Sequence, residues 1–163
     1  MKKQILLTIS IAAVILASVC EIPSAFALQY TNYADPNGKW TIQYPSYWLA
    51  GNPKTNGSIA NESVFTSGNG SALIIEVTAN NPVKTLSNNG FQFNCDTIIL
   101  AGHKTCVSTS QSDQNIDGTP MHVVFYVTSI NGTNYLLQLM DTQTNFEKSF
   151  PTFMQMLTTF VPK

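Results

Sequence analysis

The stretch MHVVFYVTSI-NGTN-YLLQLM, residues 121–140, decides how this chain folds. Two apolar runs of strand length flank a polar tetrapeptide that begins with Asn131-Gly132. Asn-Gly between two such runs is a strong hairpin signal, because both residues accept the positive φ angles of a tight turn. The stretch therefore predicts two long antiparallel strands, 121–130 and 135–140, in the second half of the chain.

Upstream of this hairpin, the chain shows shorter strand patterns separated by turn residues. The clearest is a first hairpin, whose turn at 35–38 has proline second and glycine fourth, as tight turns favour. The run at 72–78 is almost continuously apolar, which predicts a buried strand. The predicted strands before residue 121 are 30–33, 39–44, 63–67, 72–78, 91–100 and 104–110.

Helical patterns are fewer. A helix is predicted over 150–160, with Ser149 as its cap and Pro151 in its first turn. The apolar residues that recur at helical spacing there are Phe153, Met156, Leu157 and Phe160. A shorter helix is predicted over 83–86. Strands and helices in this order indicate an α+β domain, an antiparallel β-sheet flanked by helices.

Residues 1–27 have the parts of a secretory signal peptide. Two lysines precede an apolar run over 5–19, and an Ala-x-Ala site ends at Ala27. Fifteen helical residues span only about 22 Å, which is short of the roughly 30 Å hydrocarbon core of a bilayer. We therefore predict cleavage after Ala27, a single domain over 28–163, and a secreted, extracytoplasmic protein.

Two alternatives would attach the domain to the outer face of a membrane. Cys20 could carry a lipid if the chain were cut just before it, although Val19 is bulky for the position before such a cut. Failed cleavage would leave the signal helix as an anchor. We expect membrane attachment only by one of these two routes.

The charge of the domain limits its partners. Removal of residues 1–27 takes away two lysines and one glutamate, which leaves six lysines and eight acidic residues, a net charge of −2. The chain contains no arginine. A protein with so few cations lacks the groups that neutralise phosphates, so nucleic acid is not an expected partner.

Four Asn-x-Ser/Thr sequons are candidate glycosylation sites in an exported chain. They begin at Asn56, Asn61, Asn69 and Asn131. A chain this rich in Asn, Ser and Thr also forms sequons by chance, and that alternative stays open.

Two cysteines remain after the predicted cleavage, Cys95 and Cys106. An even number in an oxidising compartment favours a disulfide, and Gly102 could supply the bend between two strands that brings them together. The alternative is a metal site that uses both thiols and His103, but it lacks a fourth ligand.

The motifs of common enzymes do not occur in the sequence. There is no Gly-x-Ser-x-Gly elbow, no phosphate-binding loop and no His-Glu-x-x-His pair. The two histidines, His103 and His122, have no evident partner base or nucleophile. A hydrolase would need a concave site that gathers Asp96, His103 and Asp113. We predict a protein that is not an enzyme.

One loop resembles part of a cation site. Asp113, Asn115 and Asp117, followed by Gly118, match the first half of a calcium loop. The second half differs, because Val124 stands where a bidentate glutamate is expected. The alternative is a polar turn between two strands. Calcium is thus the one cofactor that the sequence raises, and a calcium-binding protein is the alternative function.

Three aromatic residues follow the first hairpin closely, Tyr44, Tyr47 and Trp48. They could line a ligand groove. The alternative is a corner of the core where the hairpin packs on the sheet, because aromatic side chains supply much of the apolar area of small cores.

The order of these elements resembles the PsbP-like family. The resemblance lies in Asp35-Pro36-Asn37-Gly38-Lys39-Trp40, in Ile42-x-Tyr44-Pro45-x-x-Trp48, in the Gly102 strand, in Asn131-Gly132 leading to Tyr135, and in the helix ending at Phe160. It covers nearly all of residues 30–160. It implies an α/β/α sandwich around a central antiparallel sheet.

Plant and cyanobacterial members of that family are lumenal accessory proteins of photosystem II. The low charge and the abundance of Asn, Ser and Thr make this chain more similar to short exported archaeal members. The resemblance implies a noncatalytic accessory or binding protein, whose partner is an unknown protein or small ligand. Fold likeness alone does not assign a function.

Overall fold

The computed structural model describes residues 28–51, 61–109, 114–116 and 118–163. Within these ranges the chain forms eleven strands and two helices. In chain order they are β1 (Tyr30–Ala34), β2 (Trp40–Pro45), β3 (Leu49–Gly51), β4 (Glu62–Thr66), β5 (Ala72–Thr78), α1 (Pro82–Asn88), β6 (Phe93–Leu100), β7 (His103–Ser108), β8 (Gln114–Ile116), β9 (Thr119–Ile130), β10 (Thr133–Thr142), α2 (Phe146–Thr158) and β11 (Val161–Pro162).

The strands form two antiparallel sheets. The large sheet has the order β3-β4-β5-β10-β9-β7-β6, with β8 paired to β9, and the small sheet has the order β1-β2-β11. Successive residues of a strand point to opposite faces. On one face of β10, Tyr135, Leu137 and Leu139 share a hydrophobic cluster with residues of α2. On the other face, Leu136 and Met140 belong to the cluster that includes Leu86 of α1. The helices therefore lie on opposite faces of the large sheet, which confirms the predicted α+β class.

The β9–β10 hairpin is tighter than the sequence analysis expected. Ile130 pairs directly with Thr133, so the turn is only Asn131-Gly132, and the predicted four-residue connection is wrong. Both turn residues have positive φ, 50° at Asn131 and 80° at Gly132. This is the geometry of a type I′ turn, whose twist matches that of the two strands.

Gly132→Ala is expected to lower the free energy of unfolding by about 1–2 kcal/mol, because a residue with a Cβ is disfavoured at the positive φ of this position. Urea unfolding followed by circular dichroism measures the change. The control is Gly51→Ala, at a strand position with open space around it and no positive φ. That change should stay within about 0.5 kcal/mol. Equal losses in the two variants would contradict the role of backbone conformation.

Helix α2 begins earlier than predicted. Its N-cap is Asn145, not Ser149, and Pro151 is its sixth residue and not part of its first turn. The Ser149 hydroxyl donates back to the Phe146 carbonyl at 3.1 Å, inside the helix. Burial of Phe146, whose ring stacks on His122 with 3.9 Å between centroids, favours the additional turn. Pro151 is exposed, so water can satisfy the carbonyl that proline leaves unpaired.

The β6–β7 hairpin carries the disulfide. Its turn is Ala101-Gly102, and both residues have positive φ. The bond joins Cys95 to Cys106, with 3.9 Å between their Cα atoms. The predicted pairing is therefore present in the structure, and neither sulfur is a thiol that could join His103 in a metal site. Neither described helix has the length and apolarity needed to cross a membrane.

Two acidic residues face one another across the β4–β5 pair. Glu62 and Glu76 are register partners. Burial raises the pKa of Glu76 above its ordinary value of 4.5, and the nearby charge of Glu62 raises it further. The folded state therefore binds the Glu76 proton more tightly than the unfolded state, and its contribution to stability, present below pH 4.5, is lost as pH rises through the raised pKa.

Replacing Glu76 by glutamine should therefore stabilise the protein at pH 7 and leave its stability little changed at pH 4. Thermal unfolding across this pH range tests the prediction. Glu62→Gln removes only the repulsion, which is the smaller cause of the shift, so it should stabilise in the same direction but less. A Glu76→Gln protein that is less stable at pH 7 than the unmodified protein would contradict this account.

Candidate functional site

A cleft of about 160 Å³ opens where the end of β10 meets the first turns of α2. Three separate segments build it: the residues before β3, the β4–β5 turn, and the end of β10 with α2. Its lining residues are Tyr47, Trp48, Ser67, Asn69, Ser71, Asp141, Asn145, Lys148, Ser149 and Thr152.

The floor of the cleft holds a buried carboxylate. Asp141 is 0% exposed. Its Oδ2 accepts a hydrogen bond from the Ser71 hydroxyl at 2.7 Å, and its Oδ1 accepts one from the Thr142 backbone N–H at 2.6 Å. Burial of a charge is expensive unless hydrogen bonds compensate it, and these two bonds provide that compensation.

The β4–β5 turn forms one side of the cleft. The Ser71 backbone N–H donates to the Ser67 hydroxyl at 2.9 Å, and the Ser67 N–H donates to the Ser71 carbonyl at 2.9 Å. The Asn69 side-chain oxygen accepts from the Ser67 hydroxyl. Because these bonds lie within five consecutive residues, the polar groups of the turn are fixed in place before any ligand arrives.

Two aromatic residues form the wall and the rim. Trp48 is 4% exposed, and its ring meets that of Phe153 edge to face at 5.7 Å. Its indole Nε1 is buried without a hydrogen-bond partner among the described residues, and so is that of Trp40, which does not line the cleft. A buried donor left unpaired costs about 1–3 kcal/mol, and this cost is therefore not particular to the cleft. Tyr47, by contrast, is 58% exposed at the rim.

Ser71, Asp141 and His122 lie next to one another on β5, β10 and β9, but they do not have the arrangement of a catalytic triad. His122 is the register partner of Asp141 on β9 and stacks on Phe146. In a serine hydrolase the histidine imidazole accepts the proton of the nucleophilic serine hydroxyl. Here the Ser71 hydroxyl donates to a carboxylate instead and is itself buried. The Ser71–Asp141 hydrogen bond links the start of β5 to the end of β10, and we assign it a structural role.

The three aromatic residues proposed as a ligand groove separate in the structure. Tyr47 and Trp48 line the cleft. Tyr44 packs against Phe65, with 5.2 Å between ring centroids, as the core alternative expected. Ser71 and Asp141 were not proposed at all. Asp141 lies on the same face of β10 as the buried Tyr135, Leu137 and Leu139. A carboxylate among the alternating apolar residues of a strand is the sequence signal that could have identified it.

Several other proposed residues fall elsewhere. Asp113 and Asp117 lie outside the described residues, as does the side chain of Asn115, whose backbone pairs with Pro120. Calcium binding by this loop stays a prediction. Among the side chains that the structure describes, no group of three or more His, Cys, Asp or Glu residues could hold a metal ion.

The residues considered for a hydrolase are not gathered by any described contact. His103 is exposed at the start of β7. The side chain of Asp96 and the whole of Asp113 lie outside the described part of the chain. A site formed from these three residues is therefore left untested by the described part of the chain.

Three of the four sequons lie on described, exposed positions. Asn61 precedes β4, Asn69 is in the β4–β5 turn beside the cleft, and Asn131 is in the β9–β10 turn. Asn56 lies outside the described residues. Glycosylation at all four positions stays a prediction, and a glycan on Asn69 would lie at the entrance of the cleft.

A second, wider concavity of about 530 Å³ lies along the small sheet, next to Tyr33, Gln43 and Thr159. The Gln43 backbone N–H donates to the Thr159 hydroxyl there at 2.9 Å. The first cleft contains a buried, hydrogen-bonded carboxylate, whereas the polar residues around the second are exposed or half-buried and none is fully buried. The first cleft is therefore the better candidate for ligand binding.

No family model matches the chain, and no curated protein matches its sequence. Several solved structures are similar in fold. Cyanobacterial PsbP (CyanoP) from Synechocystis sp. PCC 6803 has a TM-score of 0.58 at 13% identity, covering 86% of this chain and 96% of that one. LpqN of Mycobacterium tuberculosis, described as involved in cell envelope biogenesis, has a TM-score of 0.54 at 12% identity, covering 82% and 90%.

A third similar structure comes from a Bacteroides thetaiotaomicron protein, with a TM-score of 0.60 at 11% identity. The match covers 83% of this chain and 49% of that protein, so the chain corresponds to about half of it. Identities this low establish the fold alone. The chain thus has a PsbP-like fold, as the resemblance in its sequence implied.

Proposed function

We propose that this chain is an exported, noncatalytic accessory protein that binds its partner or ligand through the cleft between β10 and α2. The predicted signal peptide at 1–27 supports export. The Cys95–Cys106 disulfide supports it independently, because such bonds persist in oxidising compartments and are rare in reducing ones. CyanoP and LpqN share the fold, and LpqN is described as involved in cell envelope biogenesis.

The chemistry of the cleft is the observation that carries the binding role. Its buried carboxylate is occupied by the Ser71 hydroxyl and the Thr142 N–H, so it is not presented as a free base. The remaining lining groups are hydroxyls, amides, one lysine and two aromatic rings. Concave sites with an aromatic wall and a few fixed polar groups are typical of ligand recognition.

Site-specific photo-crosslinking on intact cells tests this role. A benzophenone amino acid at Tyr47, on the exposed rim, should capture a partner outside the cytoplasm. The matched control places the same group at Ile99, which is 61% exposed on β6 and lines neither concavity. Crosslinks from position 47 and not from position 99 are expected. Equal crosslinking from both positions would contradict a role for the cleft.

Intact mass of the same material tests export. The expected species begins at Leu28 and is two mass units lighter than the reduced chain. An intracellular protein that retains residues 1–27 would contradict secretion, and a lipid on Cys20 would show that the predicted cleavage site is wrong.

A further inference from the structure

We propose that Asn131 is a site of selective deamidation, a spontaneous and age-dependent modification at the tip of the β9–β10 hairpin. The modification is independent of the proposed binding role. Asparagine is a thermolabile residue, and it reacts most readily before glycine, which has no side chain to hinder the approach of its backbone nitrogen. Five residues of the chain stand directly before a glycine in this way: Asn37, Asn56, Asn69, Asn89 and Asn131.

The reaction joins the asparagine side chain to the next backbone nitrogen. At this turn the Gly132 nitrogen loses its proton and attacks the Cγ of Asn131, and the side-chain NH₂ takes up a proton and leaves as ammonia. The product is a five-membered succinimide ring. Water then opens the ring at either carbonyl, which gives aspartate or isoaspartate. The reaction therefore requires a free side-chain amide and a peptide unit that can rotate.

Backbone hydrogen bonds restrain that peptide unit at three of the described Asn-Gly pairs. The N–H groups of Gly38, Gly70 and Gly90 each donate to the carbonyl three residues earlier, at 2.8, 3.3 and 3.0 Å. Rotation of the peptide unit breaks this bond, so each of these pairs must lose a hydrogen bond before it reacts. Asn56, the fifth candidate, lies outside the described residues.

Side-chain hydrogen bonds add a second restraint at two of these pairs. The Asn69 side-chain oxygen accepts from the Ser67 hydroxyl. The Asn89 Nδ2 donates to the Thr85 carbonyl at 3.1 Å. Each bond fixes the amide whose carbon must be attacked, so it opposes closure of the succinimide ring.

Neither group is restrained at Asn131. Among the described residues, no hydrogen bond reaches the Asn131 side chain, the Asn131 carbonyl or the Gly132 N–H. Both residues are exposed to water. The turn is closed by the flanking pair of Ile130 and Thr133. Its central peptide unit can therefore rotate while that pair stays intact.

Rotation of this peptide unit brings the reacting atoms together. The first residue of a type I′ turn has ψ of about +30°, and that of a type II′ turn has ψ of about −120°. Near −120° the Gly132 nitrogen eclipses the Cβ of Asn131 and faces its Cγ. Both turn types close two-residue hairpins, but type II′ prefers glycine first, so the reactive conformer is minor. A slow reaction proceeds from a minor conformer that re-forms rapidly.

The products change the hairpin in different ways. Isoaspartate adds one methylene to the backbone of a two-residue turn, which disturbs the register set by the Ile130–Thr133 pair. Aspartate keeps the backbone length and tolerates the left-handed conformation. Either product adds a negative charge and consumes the amide that a glycan on the predicted Asn131 sequon would need.

Peptide mapping by mass spectrometry tests the proposal. The protein is exported to the periplasm of a bacterial host, where it keeps its disulfide and carries no glycan, and is then aged in mildly alkaline buffer. A deamidated peptide is one mass unit heavier, because ammonia leaves and water enters. An isoaspartate-specific methyltransferase identifies the isoaspartate product. Deamidation of Asn131 is expected to be about tenfold faster than that of Asn37, Asn69 or Asn89, the upper end of what one hydrogen bond contributes.

The same protein unfolded in guanidinium chloride is the control. Its turns and hydrogen bonds are lost, so these four asparagines should react at similar rates. Asn131→Gln should abolish the reaction in the turn, because glutamine must close a less favourable six-membered ring. A rate at Asn131 in the folded protein equal to or below that of Asn37, Asn69 or Asn89 would overturn the proposal. Aspartate formed without isoaspartate would overturn it as well, because attack by the Gly132 nitrogen gives both.

Stability measurements test the effect on the hairpin. The isoaspartate form, separated by chromatography, should unfold at a lower urea concentration than the unmodified protein. Asn131→Asp adds the same charge without the extra backbone atom, and its urea midpoint should stay close to that of the unmodified protein. Equal midpoints of the isoaspartate form and the Asn131→Asp protein would contradict the predicted change of register.

Discussion

Replacing Phe65 by alanine is expected to lower the free energy of unfolding by about 3–5 kcal/mol. Phe65 of β4 is 0% exposed. Its ring centroid lies 5.1 Å from that of Tyr33 and 6.2 Å from that of Trp40, both in the small sheet. Removing the ring would open a cavity where the two sheets meet, which neighbouring side chains fill only in part. Urea unfolding followed by tryptophan fluorescence measures the loss.

Leu49→Ala is the matched control for this prediction. Leu49 lies on the neighbouring strand β3 and is 76% exposed. Its truncation removes an apolar side chain without opening a cavity, so the expected change is within about 0.5 kcal/mol. Similar losses at Phe65 and Leu49 would mean that Phe65 does not join the two sheets in solution.

Removal of the disulfide is expected to lower the free energy of unfolding by about 3 kcal/mol. The bond joins two residues separated by 11 positions, and closing a loop of this length restricts the unfolded chain by that amount in the entropic account. The change is Cys95→Ala together with Cys106→Ala, which leaves no unpaired thiol in the domain. Urea unfolding of the oxidised protein and the double variant measures the difference.

Chemical reduction provides the control. Dithiothreitol should lower the stability of the unmodified protein to nearly that of the double variant, and it should leave the double variant unchanged. If the unmodified protein is equally stable with and without the reductant, while remaining fully reduced by mass, the bond does not contribute to stability.

The sequence predicted the long elements well, and the reasons are physical. The β9–β10 hairpin follows from a tight turn sequence between two apolar runs, and β5 matches its prediction residue for residue. Strands β3 and β11 are three and two residues long, too short to show any periodicity. The start of α2 was misplaced because Ser149 and Pro151 together imitate a helix start, whereas the burial of Phe146 depends on tertiary contact with His122.

The candidate site was predictable only in part. Three aromatic residues within five positions, Tyr44, Tyr47 and Trp48, predicted either a ligand groove or a corner of the core, and only the last two line the cleft. Ser71 and Asp141 are 70 residues apart, and nothing local shows that β5 and β10 are neighbours in the sheet. Whether the Trp48 N–H finds a partner depends on packing among several elements, which no single segment specifies.

The position of β2 has a consequence for the order in which the domain assembles. Its two neighbours in the small sheet are β1 and β11, the first and the last of the described strands. The Lys163 N–H donates to the Lys39 carbonyl at 2.8 Å, and the Tyr135 hydroxyl lies 3.1 Å from the Lys163 carbonyl. A chain still being synthesised, or still passing through a membrane pore, cannot make these contacts. Strand β11 can therefore join β2 only after residues 161–163 have emerged, so the small sheet is completed later than its own β1–β2 hairpin.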